Sequence, residues 1–226
     1  PITESDPMDM EALSDEQAII AKILPMLFAI TMHEVAHGYM ARFLGDDTAE
    51  RAGRLTLNPI AHIDPLGTII LPGIMLAMGG HFIFGWAKPV PVNGGRIKRF
   101  PRWGMLMVAL AGPGANVLMA VFWALLFHAV PLINSDIHAL GLTEMCKVGI
   151  MFNIILAVFN MVPIPPLDGG RVVLELLPYN MAQKYSQIEP YGFYILLGLM
   201  FTGIINIFVA IPMHLLRGLM MGIAGF

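Results

Sequence analysis

Long apolar stretches alternate with short polar segments along the chain, and their lengths predict membrane-spanning helices. Apolar residues dominate about Ala18–Leu44, Trp103–Val130 and Leu142–Met161, and an α-helix needs roughly 20 such residues to cross a bilayer. The tail from Tyr191 is apolar almost to its end and is interrupted by Pro212, so it forms either one long helix or a helix and a short terminal piece. Pro65–Met78 is apolar but too short to cross, which favours a short or re-entrant element. The pattern predicts an all-α polytopic membrane protein with a bundle of about four to six transmembrane helices.

The remaining segments complete the predicted organisation. Residues 79–95, GGHFIFGWAKPVPVNGG, place alternating prolines between glycines, which is typical of extended backbone bounded by turns. Together with the short apolar element, they predict a re-entrant extended or hairpin segment over about residues 65–100. Arg171–Leu177 has room for about one or two helical turns. We expect residues 1–17 to form an acidic N-terminal segment and residues 18–226 to form a single membrane-embedded domain.

Composition agrees with a membrane protein and excludes other classes. Of 226 residues, 57% are hydrophobic and 13% are charged, whereas soluble domains are roughly 45–50% apolar. The net charge of −3 offers no basic stripe for nucleic acid. The single cysteine, Cys146, excludes an internal disulfide framework. The expected surroundings are therefore the lipid bilayer, with no nucleic-acid partner and no indication of the oligomeric state.

Arginines and lysines indicate an orientation, because cytoplasmic loops are enriched in these residues. The cations near the helix ends are Arg42, Arg51, Arg54, Arg96, Lys98, Arg99, Arg102 and Arg171. One topology places all of them in the cytoplasm, with the acidic N-terminus outside. Lys22 and Lys147 lie near the opposite face and weaken this bias without reversing it.

The first helix carries a group of ionisable residues with the spacing of metal ligands. His33, Glu34 and His37 form H-E-x-x-H, and no other charged residue lies between Lys22 and Arg42. Residues four apart share one face of a helix, so both imidazoles can reach one ion while the glutamate serves as a general base. The alternative is a pair of buried histidines that are hydrogen-bonded to other helices. Ionisable groups at membrane depth are expensive, which favours a functional site.

A third metal ligand is expected from the later segment NMVPIPPLDGG. Asp168 is its carboxylate, and no other acid lies between Glu144 and Glu175. Under the predicted topology it follows the cytoplasmic end of a helix, at a depth that His37 can share. An Asx turn or a helix cap is the alternative role. A catalytic zinc usually has three protein ligands and one open position, which favours the ligand.

The two motifs, taken together, resemble the site-2 protease family of intramembrane zinc metalloproteases. H-E-x-x-H in one transmembrane segment and N-x-x-P-x-x-x-L-D-G in a later one are the basis of this resemblance. The second motif is matched by Asn160, Pro163, Leu167, Asp168 and Gly169. LTLNPIAHIDPLGT and FGWAKPVPVN are similar to the compact bacterial branch without PDZ or CBS domains. The resemblance implies one catalytic Zn²⁺ held by His33, His37 and Asp168, with Glu34 as the catalytic base.

Several further residues are candidate substrate contacts. The segment ALAGPGAN, which ends at Asn116, is similar to a G-P-x-x-N stretch of the family. The Asn116 amide can hold a substrate carbonyl. The alternative is a hydrogen bond between two helices. Pro89 and Pro91 lack N–H groups and block one edge of this strand. The other edge keeps the N–H donors of Lys88, Val90 and Val92. These donors can pair with a hairpin or with an unwound substrate. Asn160 is a candidate through the second motif. His62 and Asp64 favour turn and capping roles over a second metal site.

These features predict a zinc endopeptidase that cleaves transmembrane segments of membrane proteins. The expected location is a prokaryotic cytoplasmic membrane, with the active site toward the cytoplasm. One alternative is a membrane zinc protease of the prenyl-protein type, whose third ligand would be a later glutamate such as Glu175 or Glu189. The other is a zinc transporter or an inactive adaptor. A transporter would need further ionisable groups along its path, and the helices at 103–130 and 142–161 offer almost none.

Overall fold

The computed structural model describes residues 13–77 and 85–225, and these residues fold into an all-helical bundle without β-strands. The α-helices are α1 (Asp15–Leu44), α2 (Thr48–Arg51), α3 (Leu71–Ala77), α4 (Gly104–Phe127), α5 (Asp136–Asn160), α6 (Asp168–Leu176), α7 (Tyr179–Ser186), α8 (Gly192–Phe201) and α9 (Ile205–Ala224). Within the described ranges, four helices are long and apolar enough to cross a membrane: α1, α4 with its following turn, α5 and α9. The predicted all-α polytopic fold is confirmed.

The first helix is longer than expected because its N-terminus has a capping box. Gln17 donates its backbone N–H to the Ser14 hydroxyl, and Ser14 donates its own N–H to the Gln17 side chain. These two bonds satisfy donors that a helix start leaves unpaired, so α1 begins at Asp15 rather than at Ala18. At the other end Gly45 adopts φ +110°, a left-handed conformation that suits glycine. The predicted end at Leu44 is confirmed.

The core lies where α1, α4, α5 and α9 meet. Trp123 of α4 lies against Gly149 of α5, where an added Cβ would be 2.5 Å from the indole ring. A small residue at this point lets the two backbones approach closely, as is common between membrane helices. Large apolar side chains such as Leu118, Ile207 and Ile211 are exposed on the outside. Lipid tails are the solvent in which such a surface is stable.

The short element before the proline-rich stretch is helical. A π-helical turn, Pro65–Ile70, leads into α3, and the Asp64 carboxylate accepts hydrogen bonds from Leu66 N–H and Gly67 N–H. Asp64 therefore caps a helix, as the sequence favoured. Residues 78–84 of the predicted extended stretch lie outside the described residues, as do residues 1–12 of the acidic segment. The part at 85–93 is neither helical nor paired in a strand.

The C-terminal half contains more helices than the sequence indicated. α5 begins at Asp136, six residues before the predicted start at Leu142. Asp168 starts α6, and α7 follows it without having been predicted. The apolar tail is two helices, and the break lies at Gly203, with φ +74°, rather than at Pro212. Pro212 lies inside α9.

Candidate metal centre

Two histidines lie on the face of α1 that packs against α4, and each ring is held by a different group of that helix. His33 Nδ1 is 2.6 Å from Asn116 Oδ1, and His37 Nδ1 is 2.7 Å from the Val108 carbonyl oxygen. The Asn116 amide nitrogen donates to other acceptors, so its oxygen faces His33. Because both partners are oxygen acceptors, each Nδ1 carries the proton and each Nε2 is left with a free lone pair.

A sharp turn after α5 brings Asp168 to the same point. A Cβ on Gly169 would overlap the Met161 carbonyl, and one on Gly170 would overlap the Pro165 nitrogen. The two glycines therefore let the start of α6 fold back onto the preceding turn. Asp168 is the first residue of α6 and is buried. The sequence DGG thus places a carboxylate at the protein interior.

Three potential ligand atoms converge with distances that suit one zinc ion. Asp168 Oδ2 is 3.1 Å from His33 Nε2 and 3.3 Å from His37 Nε2, and the two Nε2 atoms are 3.1 Å apart. Zinc bonds of about 2.0–2.1 Å in a tetrahedron separate neighbouring ligand atoms by roughly 3.3–3.4 Å. Two imidazole lone pairs this close repel each other unless a cation lies between them. The donor set therefore fits zinc.

The Asp168 carboxylate has a buried oxygen that a metal ion would satisfy. Its Oδ2 atom is buried and has no hydrogen-bond donor among the described residues. A buried carboxylate oxygen without a donor is expensive, and a cation at this point would satisfy it. Within the described ranges, His33, His37 and Asp168 are the set that converges in this way.

Asn116 stabilises the imidazole that it contacts. It is fully buried, and its amide nitrogen donates to the Ala29 carbonyl at 3.2 Å and to Asn153 Oδ1 at 2.9 Å. Its oxygen and its nitrogen therefore both have protein partners. The inter-helix bond that the sequence left open is observed, and a direct contact with substrate stays a prediction.

Replacing Asn116 is expected to weaken zinc binding. In Asn116→Leu the His33 ring loses the acceptor that fixes its tautomer, and loss of such a partner lowers metal affinity by roughly 10–100-fold. Asn116→Asp keeps an acceptor oxygen and should retain more of the affinity. Competition with a chromogenic chelator measures both variants against wild type. Equal zinc affinity in Asn116→Leu and wild type would contradict this role.

The glutamate of the motif is held by the proline-rich stretch. Glu34 is half-buried, and its Oε2 accepts a 2.9 Å hydrogen bond from Val90 N–H. The Lys88 N–H donates to the His62 carbonyl at 2.9 Å, and His62 Nε2 is 2.9 Å from the Thr56 carbonyl. Two of the three donors suggested for substrate pairing thus have protein partners in this structure. Val92 N–H has none among the described residues, and substrate pairing by all three stays a prediction.

Asn160 was suggested from the sequence as a substrate contact, and Gly112 was not suggested for any role. Asn160 donates to the Leu156 carbonyl one turn back on α5, so its role toward substrate also stays a prediction. Gly112 was not singled out, yet a Cβ there would overlap His37 Nε2 and lie 2.7 Å from His33 Cε1. The run of small residues ALAGPGAN signals close approach of two backbones. It does not indicate that the neighbours are the two histidines.

Comparisons with known proteins agree with this chemistry. A family model described as Peptidase family M50 matches residues 126–203. YwhC of Bacillus subtilis (strain 168), named as a zinc metalloprotease, is 41% identical over 183 residues, which are 80% of this chain and 80% of that protein. Rip2 of Mycolicibacterium smegmatis, also named as a zinc metalloprotease, is 28% identical over 198 residues, 86% of this chain and 71% of that protein. No solved structure gives a significant match.

The relatives extend the resemblance well beyond the two motifs. Identity at the level of YwhC over four-fifths of both chains reflects common descent, and the family model includes the segment with Asp168. The expected class of enzyme and the expected zinc cofactor are both confirmed. The four apolar helices place the protein in a membrane. We conclude that the chain belongs to peptidase family M50, the site-2 protease family, as an integral-membrane zinc metalloendopeptidase.

Proposed function

We propose that this metalloprotease cleaves peptide bonds within the transmembrane segments of other membrane proteins. The observation that carries the proposal is the depth of the converging ligand atoms inside the bundle. His33 and His37 lie 11 and 7 residues before the end of α1 at Leu44, which corresponds to about 16 and 10 Å along a helix. The hydrocarbon core is about 30 Å thick. A bond cut at this site would therefore lie within the membrane.

In the proposed mechanism, His33, His37 and Asp168 hold the metal and Glu34 handles the proton. Zinc, when bound, would supply Lewis-acid polarisation of the scissile carbonyl and make water more acidic. Glu34 accepts the proton of the attacking water at its carboxylate and passes it to the leaving amine. The Nδ1 protons stay on the two imidazole rings and are donated to the Asn116 side-chain oxygen and the Val108 carbonyl oxygen, so both rings keep their Nε2 lone pairs free for a metal.

A cleft beside the site has room for a bound peptide and therefore favours the proposed function. It has a volume of about 470 Å³ and lies between the proline-rich stretch and α6. One wall includes Val90 and Val92, and the other includes Gly170 and Arg171, close behind Asp168 in the chain. An extended peptide in this cleft would lie along the suggested substrate edge and against residues of α6 that follow Asp168. Peptide bonds inside a helix are protected by internal hydrogen bonds, so the substrate must unwind locally.

The proposed location is a prokaryotic cytoplasmic membrane, with the site toward the cytoplasm. The arginines and lysines next to the helix ends support this side through the positive-inside rule. Membership of a peptidase family and the presence of Glu34 favour an enzyme over a zinc transporter or an inactive adaptor. Among the described residues, neither Glu175 nor Glu189 joins the converging set, which disfavours a site of the prenyl-protein type.

The proposal is tested by mapping where a substrate is cut. A single-span model substrate is reconstituted in liposomes with the wild-type enzyme, and the products are identified by mass spectrometry. From the depth of the ligands, we expect new termini inside the span, about 3–5 residues from its cytoplasmic end where the unwound substrate is extended and up to about 11 where it stays helical.

A matched substrate distinguishes cleavage in the membrane from cleavage beside it. In this substrate the flanks and tags are unchanged, and a water-soluble sequence replaces the span. We expect little cleavage, because the site lies at membrane depth between apolar helices. Termini that map outside the span, or equal cleavage of the soluble substrate, would contradict the proposed function.

A further inference from the structure

Arg54 is a buried cation that has no carboxylate partner among the described residues. Its side chain is 8% exposed, and no ion pair with an acid is found for it in the described part of the chain. The Nη2 atom donates to the Lys88 carbonyl at 2.7 Å and lies 3.5 Å from the Pro89 carbonyl, while Nε has no partner. Burying a guanidinium on backbone carbonyls alone is expensive. The cost of burying Arg54 indicates that the contacts of its side chain have a role.

One of the two carbonyls near Arg54 belongs to the peptide group that binds the Glu34 carboxylate. The Pro89 carbonyl and the Val90 N–H belong to one peptide group. The guanidinium lies at the carbonyl end of this group, and the Val90 N–H donates to Glu34 Oε2 at 2.9 Å. A cation at one end and an anion at the other polarise a peptide group in the same direction, so the nearby guanidinium strengthens the hydrogen bond from Val90 N–H to Glu34.

The proline-rich stretch is anchored on both sides of this peptide group. Lys88 N–H donates to the His62 carbonyl at 2.9 Å, and Asn93 N–H donates to the buried Asp46 carboxylate at 2.6 Å. The Val90 side chain is 6% exposed and lies against Gly38 of α1. Prolines before and after Val90 restrict the backbone. Arg54 is the charged side chain that holds the carbonyls between these anchors.

We infer that Arg54 is a positioning residue of the reaction, which acts through the Val90 amide to orient the Glu34 carboxylate. With Oε2 bound by Val90, the other carboxylate oxygen is left to take the proton from water. Arg54 contacts no reacting atom. A free glutamate side chain samples many rotamers, so fixing one oxygen reduces the search for the productive orientation.

This inference rests on the proposed role of Glu34, and it predicts a change in turnover rather than in zinc binding. In Arg54→Gln we expect kcat to fall by about 10–100-fold, since a small misplacement of a catalytic group has effects of this size. Zinc content should stay at one ion per chain and KM within about twofold of wild type. Arg54→Lys should recover part of kcat, because an ammonium can still donate to one carbonyl. Arg51→Gln is the matched control, since Arg51 is exposed and pairs with Asp47, and its kcat should be that of wild type.

A second variant separates positioning from general support of the fold. Val90→Pro deletes the N–H that binds Glu34 and should lower kcat as Arg54→Gln does. If Arg54 acts through Val90, the double variant should lose no more than the worse single variant. Hydrogen exchange should accelerate in the fragment 85–93 of Arg54→Gln while α4 and α5 stay protected.

The outcomes are distinct. Wild-type kcat in Arg54→Gln, or additive losses in the double variant, would overturn the inference. Loss of zinc together with faster exchange throughout α1 would also overturn it, because the role would then be structural only. Should Arg54→Gln fail to fold, Arg54→Lys and Val90→Pro carry the test. Turnover is measured on whichever bond wild type cuts, so a cut outside the membrane would contradict the proposed function and leave this test valid.

Discussion

Glu34→Gln is expected to abolish cleavage and to leave the bound zinc unchanged. The amide cannot take a proton from water, and loss of a general base lowers rates by about 10²–10⁴-fold. The amide oxygen can still accept the hydrogen bond from Val90 N–H, so the local structure should survive. Elemental analysis of the purified protein measures the zinc, and cleavage of the single-span substrate measures the activity.

Asp168→Ala is the comparison for this prediction. Removing the carboxylate leaves the two Nε2 atoms as the remaining members of the converging set, so both zinc content and cleavage should fall. Full activity in Glu34→Gln would rule out Glu34 as the base. Unchanged zinc affinity in Asp168→Ala would remove Asp168 from the ligand set.

Gly112→Ala is expected to displace the two histidines and to deplete the protein of zinc. The added methyl group would occupy space now filled by the His37 ring and would lie 2.7 Å from His33 Cε1. Overpacking in a tight site costs about 1–3 kcal/mol. If the imidazoles move to relieve it, zinc affinity falls roughly 5- to 150-fold.

Gly114→Ala, two residues further along α4, is the matched control. A Cβ at Gly114 meets no atom within 4 Å, and alanine is at least as good a helix former as glycine. Zinc content and cleavage should therefore equal those of wild type. Chelator competition compares the two variants directly. Wild-type zinc affinity in Gly112→Ala would mean that the helices can separate without moving the imidazoles.

Much of the fold could be predicted because the bilayer sets simple requirements on a sequence. A spanning helix needs a long apolar run, and the runs that end at Leu44 and begin near Trp103 were located within three residues. The position of the break in the C-terminal tail was harder to predict from the sequence. Pro212 is the more conspicuous helix breaker, but the chain turns at Gly203 because a left-handed residue there allows it. Proline can continue inside α9 where a membrane environment tolerates it.

The candidate site was predictable where chemistry and spacing coincide. The four-residue spacing of His33 and His37 places both rings on one helical face whatever surrounds them. The prolines and glycines around Asp168 indicated that its carboxylate lies on a turn after the end of a helix. Asn116 illustrates the limit, because its residue type allows a contact with substrate or with another helix. Only the tertiary structure places it against His33, 83 residues earlier in the chain.

The sequence by itself determined the class of protein, the apolar helices and the residue types of the metal centre, because each follows from local spacing or composition. The tertiary structure decided which groups contact these residues: Val108 for His37, Gly112 for the space around both rings, and Val90 for Glu34. These contacts join residues far apart in the chain, as Glu34 and Val90 are separated by 56 positions. The packing of one helix or segment against another decides such contacts, and the local pattern of residues carries no record of that packing.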